Sequence, residues 1–176
     1  MIETMYEAIK CTVRFNDFES ECFQIIQGVL QGDISSPTLF NVFFGFIIQM
    51  VHDILGDMGI KLRFRLDGSL FDLKRLKAKS KTDSKSILEL LFADDAAVCA
   101  ESESDMQIII STFNSVCAQF GLQVSIKKTE VMFQRPLKED TVSQNPVIQI
   151  NGESLKVCNK FKYLGGIITD DANIDA

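Results

Sequence analysis

Two adjacent aspartates, Asp94 and Asp95, are the residues of this sequence best suited to do chemistry. They separate two apolar runs, residues 88–92 and 96–100, which have the length of buried strands. The pattern predicts a tight hairpin with both carboxylates at its tip. Because neighbouring carboxylates repel each other, a cation should compensate them, and Mg²⁺ held by carboxylates and substrate phosphates is the natural candidate. The alternative is an exposed Asp-Asp turn without chemistry.

The composition excludes several classes of protein. With 176 residues, 46% hydrophobic and 24% charged, the chain fits one ordered domain. Its five cysteines are odd in number and form no Cys-x-x-Cys pair, which indicates reduced intracellular thiols rather than a disulfide framework or a zinc site. The single histidine, His52, excludes a histidine-based metal site and a serine triad.

The sequence predicts an intracellular protein of the nucleus or cytoplasm. No signal peptide is recognisable at its start, so we do not expect secretion. The longest apolar stretch, residues 39–51, is too short to span a bilayer and is interrupted by Asn41, Gly45 and Gln49. We therefore expect no membrane partner.

The charge is distributed unevenly. The net charge is −6, but residues 61–85 carry nine basic and three acidic residues, so this segment is +6 and the remainder is −12. Such a stretch could follow the phosphates of a nucleic acid, with strongly salt-dependent binding, or it could be a solvated loop.

Turn and cap signals around the Asp-Asp pair predict the elements that position it. Ser36 followed by Pro37 predicts the start of a helix, and Ser104 to Gln107 matches the capping box of a second helix that ends at Gly121. The first helix should bury Phe40, Phe43, Phe44, Ile47, Val51, Ile54 and Leu55.

Hairpin signals lie elsewhere in the chain. They are Asn16-Asp17, Asp67-Gly68 and Asn151-Gly152, and residues 161–168 are expected to form one further strand. Since strands outnumber helices without regular βαβ alternation, the sequence predicts an α+β fold with an antiparallel sheet. Residues 1–10 have the pattern of the end of a helix without a start signal, so we expect upstream sequence to be missing.

Four ordered motifs together resemble the reverse transcriptase domain of non-LTR (LINE-type) retrotransposons. They are Gly28-Val-x-Gln-Gly32 with Ser36-Pro-x-Leu-Phe-Asn41, then Phe92-Ala-Asp-Asp95, then Gly121-Leu122 with Lys128-Thr129, and finally Phe161-Lys-Tyr-Leu-Gly165. The resemblance implies a polymerase palm-like antiparallel sheet packed on two main helices. It also implies a domain over residues 1–176 that is truncated at the N-terminus, without fingers and first catalytic strand, and with a primer-grip hairpin near residues 147–168.

The sequence departs from the family pattern at four points. Leu30, Asp33 and Ser125 stand where the family often has a basic residue, a cysteine and an asparagine. The larger departure is a missing aspartate, which the family carries on a strand well before the Gln-Gly motif. Asp17 is the only aspartate before Gln31, and its predicted turn lies too close to the Gln-Gly loop for that role.

The resemblance also assigns roles to individual residues. Asp94 would ligate the metal together with the missing aspartate, and Asp95 would assist. Gln31 and Gly32 would line the pocket for the incoming nucleotide and the template base. Lys128 would neutralise charge or donate a proton to the leaving pyrophosphate, unless it is a plain surface lysine. The primer terminus would be held by Phe161, Lys162, Tyr163, Leu164 and Gly165, of which Tyr163 and Leu164 have a core role as the alternative.

Two functions from different classes follow from this pattern. The first is an RNA-directed DNA polymerase fragment that uses Mg²⁺, or alternatively Mn²⁺, with an RNA template, a DNA primer and a dNTP in the intact parent. The second is an inactive remnant of a retrotransposon that serves at most as a nucleic-acid or protein interaction module. The missing aspartate favours the second for this chain alone. An unrelated metal-binding domain is a more remote alternative.

Overall fold

The protein is described here by a computed structural model, which covers residues 9–25, 28–65, 82–134 and 145–170. The chain divides into two units, Met1–Phe44 and Gly45–Ala176. Two helices and fourteen short strands lie within the described residues. The predicted helix end at the start of the chain falls almost wholly on residues 1–8, outside the described ranges.

The first unit contains two small antiparallel pairs. Strand β1 (Lys10–Cys11) pairs with β4 (Phe23–Gln24), and β2 (Arg14–Phe15) pairs with β3 (Phe18–Glu19). Phe15 lies opposite Phe18, so Asn16 and Asp17 form a two-residue loop and the predicted hairpin is confirmed. Asn16 takes a φ of 53°, a left-handed conformation that asparagine tolerates better than most residues.

Helix α1 (Ser36–Leu55) begins one residue earlier than predicted. The Leu39 amide donates to the Ser35 carbonyl at 3.0 Å, so Ser35 rather than Ser36 is the N-cap. The Asp33 carboxylate accepts hydrogen bonds from the Ser35 amide at 3.2 Å and from the Ser36 hydroxyl at 3.3 Å. These bonds place a negative charge at the positive end of the helix dipole.

The inward face of α1 differs from the predicted one. Its buried residues are Ile47, Ile48, Val51 and Leu55. Ile54 is 61% exposed and Phe43 is 40% exposed, so their predicted burial is wrong. The buried apolar residues follow one another at spacings of one, three and four positions, which turns the apolar stripe toward Ile48 and away from Ile54.

Helix α1 is also the one helix of the described residues that is long and apolar enough to cross a membrane. It has 20 residues and a mean hydropathy of 1.5. The expectation that its apolar run is too short to span was based on residues 39–51 only, and the helix extends beyond both ends of that run. Length therefore does not exclude a span.

In the second unit, strand β5 (Ile60–Arg65) pairs with β6 (Thr82–Ile87). Leu62 lies opposite Lys85 in this antiparallel register. The Asp67-Gly68 turn signal and most of the basic stretch fall on residues 66–81, outside the described ranges. The hairpin predicted there and the path of the basic stretch both stay predictions.

Helix α2 (Glu103–Gln119) also starts earlier than its capping signal indicated. The N-cap is Ser102, whose hydroxyl accepts from the Asp105 amide at 3.1 Å and donates to the Asp105 carboxylate at 2.7 Å. The predicted capping box at Ser104–Gln107 is wrong because the side-chain amide of Gln107 is hydrogen-bonded to the backbone of Gln149 instead. Gly121, with a φ of 74°, follows the Phe120 C-cap as predicted.

A small core lies under α2 and the strands that follow. Strands β9 (Glu130–Met132), β10 (Gln149–Ile150), β11 (Glu153–Ser154) and β12 (Lys156–Cys158) come from this region. Val131, Ile148, Ile150 and Leu155 are buried together, and Met106 and Ile110 of α2 are among the residues that pack against them. The predicted Asn151-Gly152 hairpin is confirmed, since Ile150 lies opposite Glu153.

The strands of the described residues are hydrogen-bonded two by two. Six of the seven pairs are antiparallel, and the pair β12–β9 is parallel. The palm-like sheet, the single-domain boundaries and the primer-grip range 147–168 stay predictions.

Candidate active site

The two aspartates lie at the end of a two-residue hairpin. Strand β7 (Glu89–Phe92) pairs with β8 (Asp95–Val98), and Phe92 lies opposite Asp95. Ala93 and Asp94 therefore form the loop, and Asp95 is the first residue of the returning strand. The hairpin that the sequence predicted is present, and both carboxylates are exposed to solvent at its tip.

Strand β7 of this hairpin is not buried as the sequence predicted, and β8 is half-buried after Asp95. Leu88 is 5% exposed, but Leu90 is 48%, Leu91 is 41% and Phe92 is 61% exposed. The cause is the two-stranded sheet, in which β7 has β8 as its one strand partner among the described residues. Burial therefore ends at the root of the hairpin and does not reach the aspartates.

Ala93 is held in a left-handed conformation with a φ of 52°. This region costs an L-residue other than glycine, asparagine or aspartate roughly 1–2 kcal/mol. Strained backbone positions persist where the surrounding structure fixes them, and they cluster at functional sites. The strain lies on the residue that precedes Asp94.

Two side chains from other elements contact β7 at neighbouring residues. His52, in the last turn of α1, places its Nε2 2.7 Å from the Glu89 carboxylate. The Tyr163 hydroxyl donates to the Leu90 carbonyl at 2.9 Å. His52 and Glu89 are not among the residues predicted for the site, and no short-range pattern could indicate their contact because they are 37 positions apart.

The Cys99 thiol lies beyond β8, near the same root. The backbone amide of Cys99 donates to the Leu88 carbonyl at 2.8 Å, which extends the pairing of the hairpin by one residue. Burial, and secondarily the negative charge of Glu89, raise the pKa of this thiol above its ordinary value. All five cysteines are free in the structure, and their reduced intracellular state stays a prediction.

The segment predicted to hold the primer is a hairpin rather than one strand. Strand β13 (Lys160–Tyr163) pairs with β14 (Gly166–Thr169), and Leu164 and Gly165 form the loop. The prediction of a continuous strand over residues 161–168 is wrong, because Leu164 at a φ of 50° and Gly165 at 86° reverse the chain. The Phe161 and Tyr163 rings stack on one face, with centroids 6.3 Å apart and an interplanar angle of 19°.

The Gln31-Gly32 loop belongs to the first unit. Gln31 is exposed, and Gly32 has a φ of 92°, a conformation that glycine adopts without strain. Whether this loop lies beside Asp94, as the order of motifs predicts, stays a prediction.

The comparisons with known proteins decide the family. The family model for reverse transcriptase (RNA-dependent DNA polymerase) matches residues 1–168. The chain belongs to the reverse transcriptase family. No curated protein and no solved structure matches it.

Membership of this family gives the chain a nucleic-acid context. Reverse transcriptases act on a template and a primer and generally use divalent metal ions. The donor set at the hairpin tip fits such an ion in part, since carboxylate oxygens are the ligands that hard cations prefer. Within the described residues, no group of three or more His, Cys, Asp or Glu side chains comes together. Asp94 and Asp95 are thus two neighbouring, exposed carboxylates at the end of one hairpin.

Lys128 lies in a separate turn of this reverse transcriptase chain. Its amide donates to the Ser125 carbonyl at 3.0 Å, and the Thr129 hydroxyl donates to the same carbonyl at 2.8 Å. The Lys128 residue is exposed. Its role, whether catalytic cation or surface lysine, stays a prediction.

Proposed function

We propose that this chain is the nucleotidyl-transfer part of an RNA-directed DNA polymerase from a non-LTR retrotransposon, with Asp94 and Asp95 as its metal-binding carboxylates. One observation carries the proposal: an exposed pair of aspartates occupies the tip of a two-residue hairpin in a chain of the reverse transcriptase family. The order of the four motifs supports the non-LTR assignment.

The proposed chemistry requires carboxylates that stay ionised and accessible. Bound Mg²⁺ or Mn²⁺ would lower the pKa of the primer 3′-hydroxyl and neutralise the triphosphate. The exposed position of Asp94 and Asp95 suits ligands that must meet a substrate phosphate from outside the protein. The left-handed Ala93 holds Asp94 at the apex of the loop rather than along a strand.

The remaining residues would bind and orient the substrates. Gln31 and Gly32 would line the nucleotide pocket, and Lys128 would neutralise the leaving pyrophosphate. The hairpin of Phe161 to Gly165 would hold the primer end, with the stacked Phe161 and Tyr163 rings as its apolar surface. We place the reaction inside the cell, in the nucleus or cytoplasm, where an RNA template is met. On this proposal helix α1 contributes one face to the core, where Ile47 is 0% and Val51 is 2% exposed, and does not cross a membrane.

A second candidate is a non-catalytic module that binds nucleic acid or protein. The observation that favours it is the pair of carboxylates itself, because two-metal transfer normally draws on a further ligand and the described residues bring no third one to the group. For the same reason we expect residues 1–176 alone to give no measurable primer extension with Mg²⁺ or Mn²⁺.

Metal binding separates the two candidates without depending on turnover. We expect Mn²⁺ to broaden the amide NMR signals of residues 93–96, and Asp94→Asn to lower the Mn²⁺ affinity by at least about tenfold, as loss of metal-site residues does elsewhere. Asp17→Asn is the matched control, because Asp17 is also the second residue of a two-residue hairpin loop. It should leave the affinity unchanged.

Two outcomes would contradict the proposal. An equal loss of Mn²⁺ affinity in Asp17→Asn would mean that Asp17 also belongs to the metal site, although the sequence predicts no such role for it. Primer extension by the chain that survives Asp94→Asn would mean that the catalytic centre lies elsewhere.

A further inference from the structure

Strand β7 of the hairpin that carries the aspartates has little apolar packing of its own, whereas its partner β8 is half-buried after Asp95. The exposed fractions of 48%, 41% and 61% for Leu90, Leu91 and Phe92 mean that burial contributes little beyond Leu88. Metal ligands nevertheless need to be held within about 0.5 Å of a productive geometry. Besides its pairing with the half-buried β8, contacts other than its own core packing must therefore fix β7.

The two polar contacts on β7 provide such a fixation. His52 binds the side chain of Glu89, and Tyr163 binds the backbone carbonyl of Leu90. The contacts come from two separate elements, the last turn of α1 and strand β13. A strand bound at two successive residues by independent elements cannot slide or rotate without breaking one of the contacts.

Both contacts lie close to the loop. Leu90 is three residues before Ala93, which corresponds to about 10 Å of extended strand. The Glu89 side chain is 13% exposed while His52 is 41% exposed, so the carboxylate meets its partner in a partly desolvated place where such a bond is strengthened. A small displacement of Glu89 or Leu90 would therefore displace the loop by a similar amount.

We propose that His52 and Tyr163 are positioning residues that hold strand β7, and through it the Asp94-Asp95 loop. The inference rests on the proposed function, since it gives the loop its role as a metal site. It also connects the carboxylates proposed to bind the metal with the hairpin proposed to hold the primer. Tyr163 belongs to the hairpin assigned to the primer end, so its hydroxyl sets the distance between that hairpin and the carboxylates.

Hydrogen exchange of the whole chain tests the contacts directly. Tyr163→Phe removes only the hydroxyl, and His52→Ala removes the imidazole from a half-buried helix position. Each should speed amide exchange in residues 93–98 by roughly three- to tenfold, the effect of losing one hydrogen bond. His52→Gln, which keeps a donor for Glu89, should recover most of the protection.

Ser86→Ala is the matched control. The Ser86 hydroxyl donates to the Met58 carbonyl at 3.0 Å, a bond of the same kind as that of Tyr163 but on the pair β5–β6. This variant should leave exchange in residues 93–98 unchanged. Unchanged exchange there in Tyr163→Phe would overturn the proposal, as would an equal increase in α2 and β10, because that would indicate general destabilisation.

The affinity for Mn²⁺ gives a second readout that a purely structural role would not move. Tyr163→Phe should lower the affinity by about three- to tenfold although both carboxylates remain. Wild-type affinity in this variant would overturn the inference. If the wild-type chain binds no Mn²⁺ at residues 93–96, the proposed function fails, while the exchange experiment still decides whether the two side chains hold β7.

Discussion

Two hairpins of the second unit begin their loops with a left-handed residue but are held in different ways. Ala93-Asp94 and Asn151-Gly152 are both two-residue loops, and the first residue of each has a φ of 52°. In the second loop, asparagine and glycine suit this conformation. In the first loop, alanine does not, so its left-handed conformation costs roughly 1–2 kcal/mol.

The two hairpins also differ in packing, and the Asn151 hairpin is again the better stabilised of the two. Ile148 and Ile150, beside the Asn151 loop, are 1% and 2% exposed. The Gln107 side chain fastens this hairpin to α2 by accepting from the Gln149 amide at 2.8 Å and donating to the Gln149 carbonyl at 2.9 Å. In the Asp94 hairpin, strand β7 is mostly exposed and is held by two polar contacts instead. One hairpin thus contributes to the core, and the other presents carboxylates to a ligand.

The largest expected difference between the two hairpins concerns side-chain truncation. Ile150→Ala should lower the free energy of unfolding by about 2–5 kcal/mol, because it leaves a cavity in a buried cluster. Leu91→Ala, at a position 41% exposed, should cost less than about 1 kcal/mol. Urea unfolding of both variants measures the difference. Equal losses would mean that the Asp94 hairpin is as much a part of the core as the Asn151 hairpin.

The next effect is smaller, and its sign should differ between the two loops. Ala93→Gly should raise the free energy of unfolding by about 0.5–1 kcal/mol, since the relief of left-handed strain exceeds the entropic cost of glycine. Gly152→Ala should lower it by about 1–2 kcal/mol at a φ of 84°, although no atom lies within 4 Å of the added Cβ. The same urea titrations apply. A stabilising Gly152→Ala or a destabilising Ala93→Gly would show that backbone strain does not distinguish the loops.

The sequence predicts the loops and the helices of this protein better than it predicts burial. Asn16-Asp17, Asn151-Gly152 and the Asp94-Asp95 pair mark their turns because turn chemistry is local. Burial depends on which elements lie alongside. The apolar run before Asp94 therefore indicated buried strands, although Phe92 is 61% exposed.

The start of α2 and the contacts of the site likewise depend on residues that are distant in the sequence. Ser102 competes with Ser104 as the start of α2, and the outcome depends on Gln107, which binds a strand 42 positions away. Likewise, the lone His52 gave no sign in the sequence of its bond to Glu89. The candidate carboxylates could be found from the sequence because they are adjacent, whereas the residues that hold them could not.

The smallest expected effect concerns Cys99, which reports on the root of the Asp94 hairpin. Burial and then the charge of Glu89 raise the pKa of its thiol, so Glu89→Gln should lower that pKa by removing the second cause while the first remains. A lower pKa means more thiolate at a given pH, so the pH profile of Cys99 alkylation, followed by peptide mass spectrometry, should move to lower pH. Cys117 is the internal control, because its pKa is raised by burial without Glu89. A shift of the Cys117 profile as well would indicate general opening of the second unit. An unchanged Cys99 profile would contradict the prediction. It would mean that the Glu89 charge does not affect the Cys99 thiol and that the root of the Asp94 hairpin is more open to solvent than the Asn151 hairpin.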